Sequence, residues 1–261
     1  MNSVIKLLMT VSFLMFCSTT LASRLTYYQN LLLTKKFFLN YEEVTPQQRQ
    51  TNRDRVSLNG NNFMKTGAAD FLVNLQTDVT VVENGNDRYE EVSSEHGAMC
   101  RLKKNLKVYN FTKRMSGGKV IFYGKKKGEV EEVSYNKLAE LEYGRSYGTE
   151  NMSIVLNAIL PNIAKSSKAL KFREVGSGKN KTGLNYIDYR ADSKNDMYVI
   201  RFCFEGSKLV RILSAKYYTN SAGQFNGTRN IFKIKEFTHE IKPNYLRLPE
   251  GLKIVESRRR E

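Results

Sequence analysis

The chain has 261 residues, with 42 Lys and Arg against 26 Asp and Glu, a formal net charge of +16. Hydrophobic residues make up 41% and aromatic residues 11%, enough to bury a real core, which excludes an intrinsically disordered polymer. The basic excess favours anionic surfaces such as lipid headgroups, lipopolysaccharide or acidic glycans, and no helix-turn-helix, zinc-finger or RRM pattern points to nucleic acid.

The first 22 residues read as a secretory signal peptide. Lys6 precedes an apolar run from Leu7 to Cys17, and Thr20-Leu21-Ala22 puts small residues at the positions a signal peptidase reads, with cleavage before Ser23. The run is too short to span a bilayer. Residues 23–261 then form a single domain that works in a periplasm or at a cell surface, with a net charge of +15 once Lys6 is removed. Cys17 leaves with the leader, and bulky Phe16 before it makes a poor lipoprotein site. Cys100 and Cys203 remain. In an oxidising compartment an even pair predicts one disulfide, worth up to about 4–5 kcal/mol for a loop of about 100 residues. The alternative is two buried free thiols.

Leu25 to Leu33 predicts a short helix. Strand-like runs follow: Lys36 to Val44, with Phe37, Leu39 and Tyr41 on one face, then Arg53 to Leu58 and Asn62 to Thr66 around Asn59-Gly60. Phe71 to Val82 and Arg88 to Val92 flank Asn84-Gly85, a second hairpin signal of the same chemistry. Met99 to Lys103, Leu106 to Thr112, Lys119 to Tyr123 and Glu129 to Val133 continue the series. Met152, Val155, Leu156, Ile159, Leu160 and Ile163 then recur with a 3.6-residue period, which predicts an amphipathic helix from Asn151 to Ile163, capped at Thr149 or Asn151 and kinked or broken at Pro161. Strands resume at Leu170 to Val175, with a turn at Gly176 to Gly178, then at Leu184 to Arg190, Met197 to Phe204, Lys208 to Thr219 and Asn230 to Ile241. Tyr245 to Leu248 and Leu252 to Val255 end the chain. Short strand–turn–strand connections predict one mainly β fold: an open, curved antiparallel sheet, a half-barrel, with the central helix packed on its concave face over a single core.

Gly144-Arg145-Ser146-Tyr147-Gly148 matches a nucleophile elbow, and Asp188 or Asp196 followed by His239 has the chain order of a hydrolase triad. The context opposes it. Asn136 to Tyr143 is polar where a buried strand is needed, and no oxyanion segment lies upstream. His96 and His239 lack a second ligand at metal spacing, so no metal, cofactor or catalytic residue is expected.

The closing third, Met197 to Thr219, Asn230-Ile-Phe-Lys-Ile-Lys-Glu-Phe237, Ile241-Lys-Pro-Asn-Tyr245 and Leu246-Arg-Leu-Pro-Glu-Gly251, resembles the end of the LolA/LolB-like periplasmic lipoprotein carriers. The resemblance implies a curved sheet whose concave apolar face is covered by helices, with acyl chains held between, and it carries over no functional residue. On this reading the protein is a non-enzymatic carrier for acyl-bearing ligands, lipid or lipoprotein. Met152, Val155, Leu156, Ile159 and Leu160 of the helix would face Ile200 and Phe202 across a cavity of at least about 300 Å³, with Lys165, Lys168 and Lys171 near its mouth. The alternatives are a basic envelope interaction protein with a solid interior, and a serine hydrolase using Ser146.

Overall fold

A computed structural model describes residues 25–47, 73–94, 97–116, 119–124, 126–134, 150–160, 170–193, 196–219 and 225–256. The expected leader, the hairpin expected around Asn59-Gly60, the expected elbow at Ser146, His96 and residues 161–169 lie outside these. Helix α1 covers 25–34. It is followed by β1 (Lys36–Gln47), β2 (Val73–Asn84), β3 (Asp87–Ser94), β4 (Gly97–Lys104), β5 (Lys107–Ser116), β6 (Lys119–Tyr123) and β7 (Glu129–Ser134). Helix α2 (Glu150–Ile159) leads to β8 (Arg173–Lys179), β9 (Asn185–Asp192), β10 (Asp196–Glu205), β11 (Lys208–Thr219) and β12 (Phe225–Thr238), then a 3-10 turn (Pro243–Leu246) and β13 (Lys253–Glu256).

All thirteen described strands belong to one large, open, curved sheet, ordered β13-β7-β5-β4-β3-β2-β1-β12-β11-β10-β9-β8, with β6 beside the far half of β5. The N-terminal strand is therefore central. One meander runs outward from it through β2 to β5, and a second returns to it from β8 through β12. Every pairing is antiparallel except β13 with β7. That parallel pair needs a crossover, and the segment from Ile241 to Leu252 supplies it by running across the sheet.

Strand alternation sends the apolar side chains to two faces. Phe37, Leu39 and Tyr41 of β1, Val79 and Val81 of β2, Ile200 and Phe202 of β10 and Phe232 of β12 meet both helices on the concave face. Phe38, Val82, Tyr89, Cys100, Leu102 and Phe111 form a second cluster on the opposite face, where Tyr245, Leu246 and Leu248 of the crossover cover them. The single core expected from the sequence is in fact two clusters sharing one sheet. The sequence reading missed this because the terminal segment has no periodicity to show that it acts as a strap. Part of it, Tyr245 to Leu248, was expected as a strand, but its first residues form the 3-10 turn.

Turn positions shift in informative ways. Asn84 pairs with Asp87, so the two-residue loop is Gly85-Asn86, with Gly85 supplying the positive φ of +63°. β8 continues through Gly176-Ser177-Gly178 with a register shift between Glu174 and Gly176, and the turn comes later, at residues 180–184. There the Asn180 side-chain oxygen accepts from the Thr182 and Leu184 N–H groups at 3.0 and 2.9 Å. An edge strand tolerates this glycine-rich sequence because no strand pairs with its outer side among the described residues. Helix α2 ends at Ile159, two residues before Pro161, as the steric demands of proline require.

Candidate functional site

The helical residues singled out in the sequence do gather on the concave face. Met152, Val155 and Ile159 are at most 2% exposed and point into the cluster that contains Ile200 and Phe202. Leu156 and Leu160 are half-buried at its margin. Two contacts hold this layer. The Tyr28 hydroxyl of α1 accepts from the Leu209 N–H at 2.8 Å, pinning α1 to β11, and Gln29 donates to the Ile159 carbonyl at 2.7 Å, tying α1 to the end of α2.

A cleft of about 250 Å³ remains beside α2. Its apolar walls come from Leu32 of α1, Phe37 and Leu39 of β1, Val81 of β2, and Met152, Leu156 and Leu160 of α2 and its end. Its polar side is Lys35, Glu83, Arg88, Ser153 and Asn157. Ile200 and Phe202, expected opposite the helix as ligand contacts, do not line it. Both are 0% exposed and form solid core with Ile187, Ile212 and Phe232. The buried residues of α2 join the same cluster as Ile200 and Phe202, while the cleft opens at the helix margin, beside α1, β1, β2 and Arg88 of β3. Of the lysines expected at the mouth, Lys171 is exposed and does not line the cleft, while Lys165 and Lys168 fall outside the described residues.

Arg88 organises the polar side. Its Nη1 meets Glu83 at 2.9 Å, and its Nε and Nη2 meet Glu90 at 2.9 and 2.8 Å. Burial by itself would lower its pKa, but Glu90 and Glu83 outweigh burial and hold the guanidinium charged above its ordinary range. Deeper on the same face, the Tyr41 hydroxyl is fully buried without a hydrogen-bond partner. Burial, with Glu43 and Glu90 nearby, pushes its pKa far up. Sequence reasoning found the apolar helix but not this arginine, because Arg88 reaches Glu90 only through the same-face i, i+2 relation of a strand and Glu83 only across the β2–β3 hairpin.

On the opposite face, Lys113 donates to the Tyr89 hydroxyl at 2.7 Å and to Glu91 at 2.5 Å. Tyr89 in turn contacts Glu91 and lies 3.5 Å from the Cys100 sulfur. The cluster lies under Tyr245, whose ring centroid is 5.3 Å from that of Tyr89. Burial pushes the Cys100 thiol up to about 11, against the pull of Lys113, which leaves it a poor nucleophile.

The predicted disulfide does not form. Cys100 and Cys203 are both free and buried. Cys100 lies on β4 and Cys203 on β10, six strand spacings apart in the sheet. At about 4.8 Å per spacing that is roughly 29 Å along the sheet, against a limit of about 7 Å between bridged Cα atoms. Cysteine parity carries no information on strand order. Two thiols are expected to react with a thiol reagent after denaturation without reductant, and almost none in the native protein. Zero thiols in denaturant would show a bridge.

The acids proposed for a hydrolase triad are engaged elsewhere. Asp188 is held by Arg201 through two bonds of 2.7 Å, and Asp196 pairs with Lys216 at 3.1 Å. His239 lies 3.5 Å from the Tyr27 hydroxyl.

No family model matches the chain, and no curated protein matches it. Among solved structures, one of PNGF-II is similar over 85% of this chain, with 9% identity and a TM-score of 0.28. The match spans about a third (32%) of that protein's length.

Proposed function

We propose that the protein is an exported, non-enzymatic binding protein that takes the apolar end of an acyl-bearing ligand into the cleft beside α2. The observation that carries this reading is the cleft itself: apolar walls from four separate elements, with Lys35 and the Arg88 group on one side. A ligand with a hydrocarbon tail and a polar end meets a matching environment for each part. At about 250 Å³ the cleft falls below the 300–1,000 Å³ of sites for drug-sized ligands, so it fits one short chain or the tip of a longer one. The curved sheet with helices on its concave face also has the outline implied by the LolA/LolB-like resemblance, and the leader-like residues 1–22 point to a periplasmic or surface location.

Native mass spectrometry with lipid extraction tests this in the purified mature protein. The expected result is a bound acyl species, with binding of dodecanoate weakened at least about tenfold by Leu156→Trp, which fills the cleft. An empty protein that binds no dodecanoate, or equal binding by the variant, would overturn it. Two observations favour a second reading, a basic module for anionic envelope polymers: most of the α2 apolar face is committed to solid core, and the net charge without the leader is +15. Salt-sensitive binding to anionic vesicles that is indifferent to Leu156→Trp would select it.

A further inference from the structure

We infer a second binding site at the outer edge of β6, one that takes an extended acidic peptide as an added strand. It lies away from the α2 cleft and does not depend on the reading given for that cleft.

The sheet forks at β5. Its outer side pairs with β7 over Lys107 to Asn110 and with β6 over Thr112 to Ser116. β13 covers β7, but beyond β5 the β6 edge meets only a bridge between Tyr123 and Lys127 at its end among the described residues. The Phe122 carbonyl accepts from the Gly128 N–H at 2.9 Å, so the backbone groups of Phe122 turn away from β5. The two-residue period of a strand turns those of Val120 the same way. Val120 thus offers an N–H and a C=O to a partner, and its side chain is half exposed, at 50%.

Beside this edge runs a groove of about 360 Å³. Val120, Ile121 and Phe122 form one wall, and Leu252 with Gly251 forms the other. Lys119 and Lys127 stand at its rim, and Lys126 is exposed beside them. None of the three has an ion-pair partner among the described residues, and Glu250 is the one acid in the lining. The groove therefore combines three recognition elements: the unpaired backbone groups of Val120, apolar walls, and a surplus of positive charge. Together these fit strand addition by a peptide that alternates acidic and apolar residues. A second copy of β6 is disfavoured, because self-pairing would bring the same lysines together.

The test is fluorescence anisotropy on the mature protein with a labelled peptide of eight alternating Glu and Val residues, and its Lys/Val counterpart as control. The expected result is saturable, salt-sensitive binding of the acidic peptide alone. Val120→Pro should weaken it at least about tenfold, since proline removes the outward N–H while leaving the β5 ladder intact. The double variant Lys119→Glu, Lys127→Glu should do the same. If Val120→Pro unfolds the protein, a probe N-methylated at alternate amides serves on the unaltered chain and should lose binding. No binding, undiminished binding in Val120→Pro or to the N-methylated probe, or a protein dimer that Val120→Pro dissociates would overturn the proposal.

Discussion

Replacing Ile159 with Asp is expected to remove most of the stability of the fold. The Ile159 side chain is 2% exposed and packs where α2 meets the concave face. Losing its burial costs about 2–5 kcal/mol, and an unpaired carboxylate in that position adds several more. The sum is comparable to the whole stability of a typical domain, about 5–15 kcal/mol. Leu156→Asp is the informative companion. Leu156 is half-buried on the cleft margin, where a carboxylate can reach water, so its cost should be about 1–2 kcal/mol. Urea unfolding monitored by circular dichroism compares the two. Equal costs would show that α2 does not present these faces to the sheet and the cleft.

The second large effect is alkaline instability. Burial raises the pKa values of Tyr41 and Tyr89 far above their usual 10.0, and that of Cys100 from 9.0 to about 11. Nearby Glu43 and Glu90 add to the shift at Tyr41, and Cys100 and Glu91 add to it at Tyr89. The folded state keeps these groups protonated while the unfolded chain ionises them. Their contribution is therefore complete below about pH 9 and is lost as pH rises through the folded values. Each group costs about 1.4 kcal/mol per pH unit once its unfolded form ionises, so Tyr41 and Tyr89 together give a slope of about 2.7 kcal/mol per unit above pH 10.

From pH 8 to the isoelectric point of about 9.7, falling self-repulsion predicts rising stability, whereas Cys100 already begins the loss there. Tyr41→Phe discriminates further. Its hydroxyl has no partner, so the variant should be at least as stable as the parent at neutral pH and show a shallower alkaline fall. Urea midpoints from pH 8 to 11 provide the check, and a flat profile would refute the buried-tyrosine explanation.

Much of the architecture is written in local patterns. The alternation of Phe37, Leu39 and Tyr41, the period of Met152, Val155 and Ile159, and the glycine at position 85 each express a constraint that acts within a few residues. Such constraints survive in any fold that buries one face of a strand or helix, so the mainly β class, the short connections and the buried helix were all legible. Helix α1 was legible for the same reason.

What the tertiary structure alone decided is which of these surfaces meet. The pairing of β1 with β12 joins segments nearly 200 residues apart, and nothing local encodes it. That pairing places Cys100 and Cys203 six strands apart and so forbids the disulfide that their number suggested. It also carries Ile200 and Phe202 into solid core rather than a ligand cavity, and brings β1 to β3 to the cleft beside α2, where Lys35 and Arg88 supply charge. The crossover to β13 adds the second cluster, because a parallel partner for β7 requires the chain to traverse a face of the sheet, and the apolar residues of that traverse then bury Phe38, Tyr89 and Leu102. Side-chain periodicity specifies which face of each element is apolar. Strand order, which is a property of long-range pairing, determines what that face packs against.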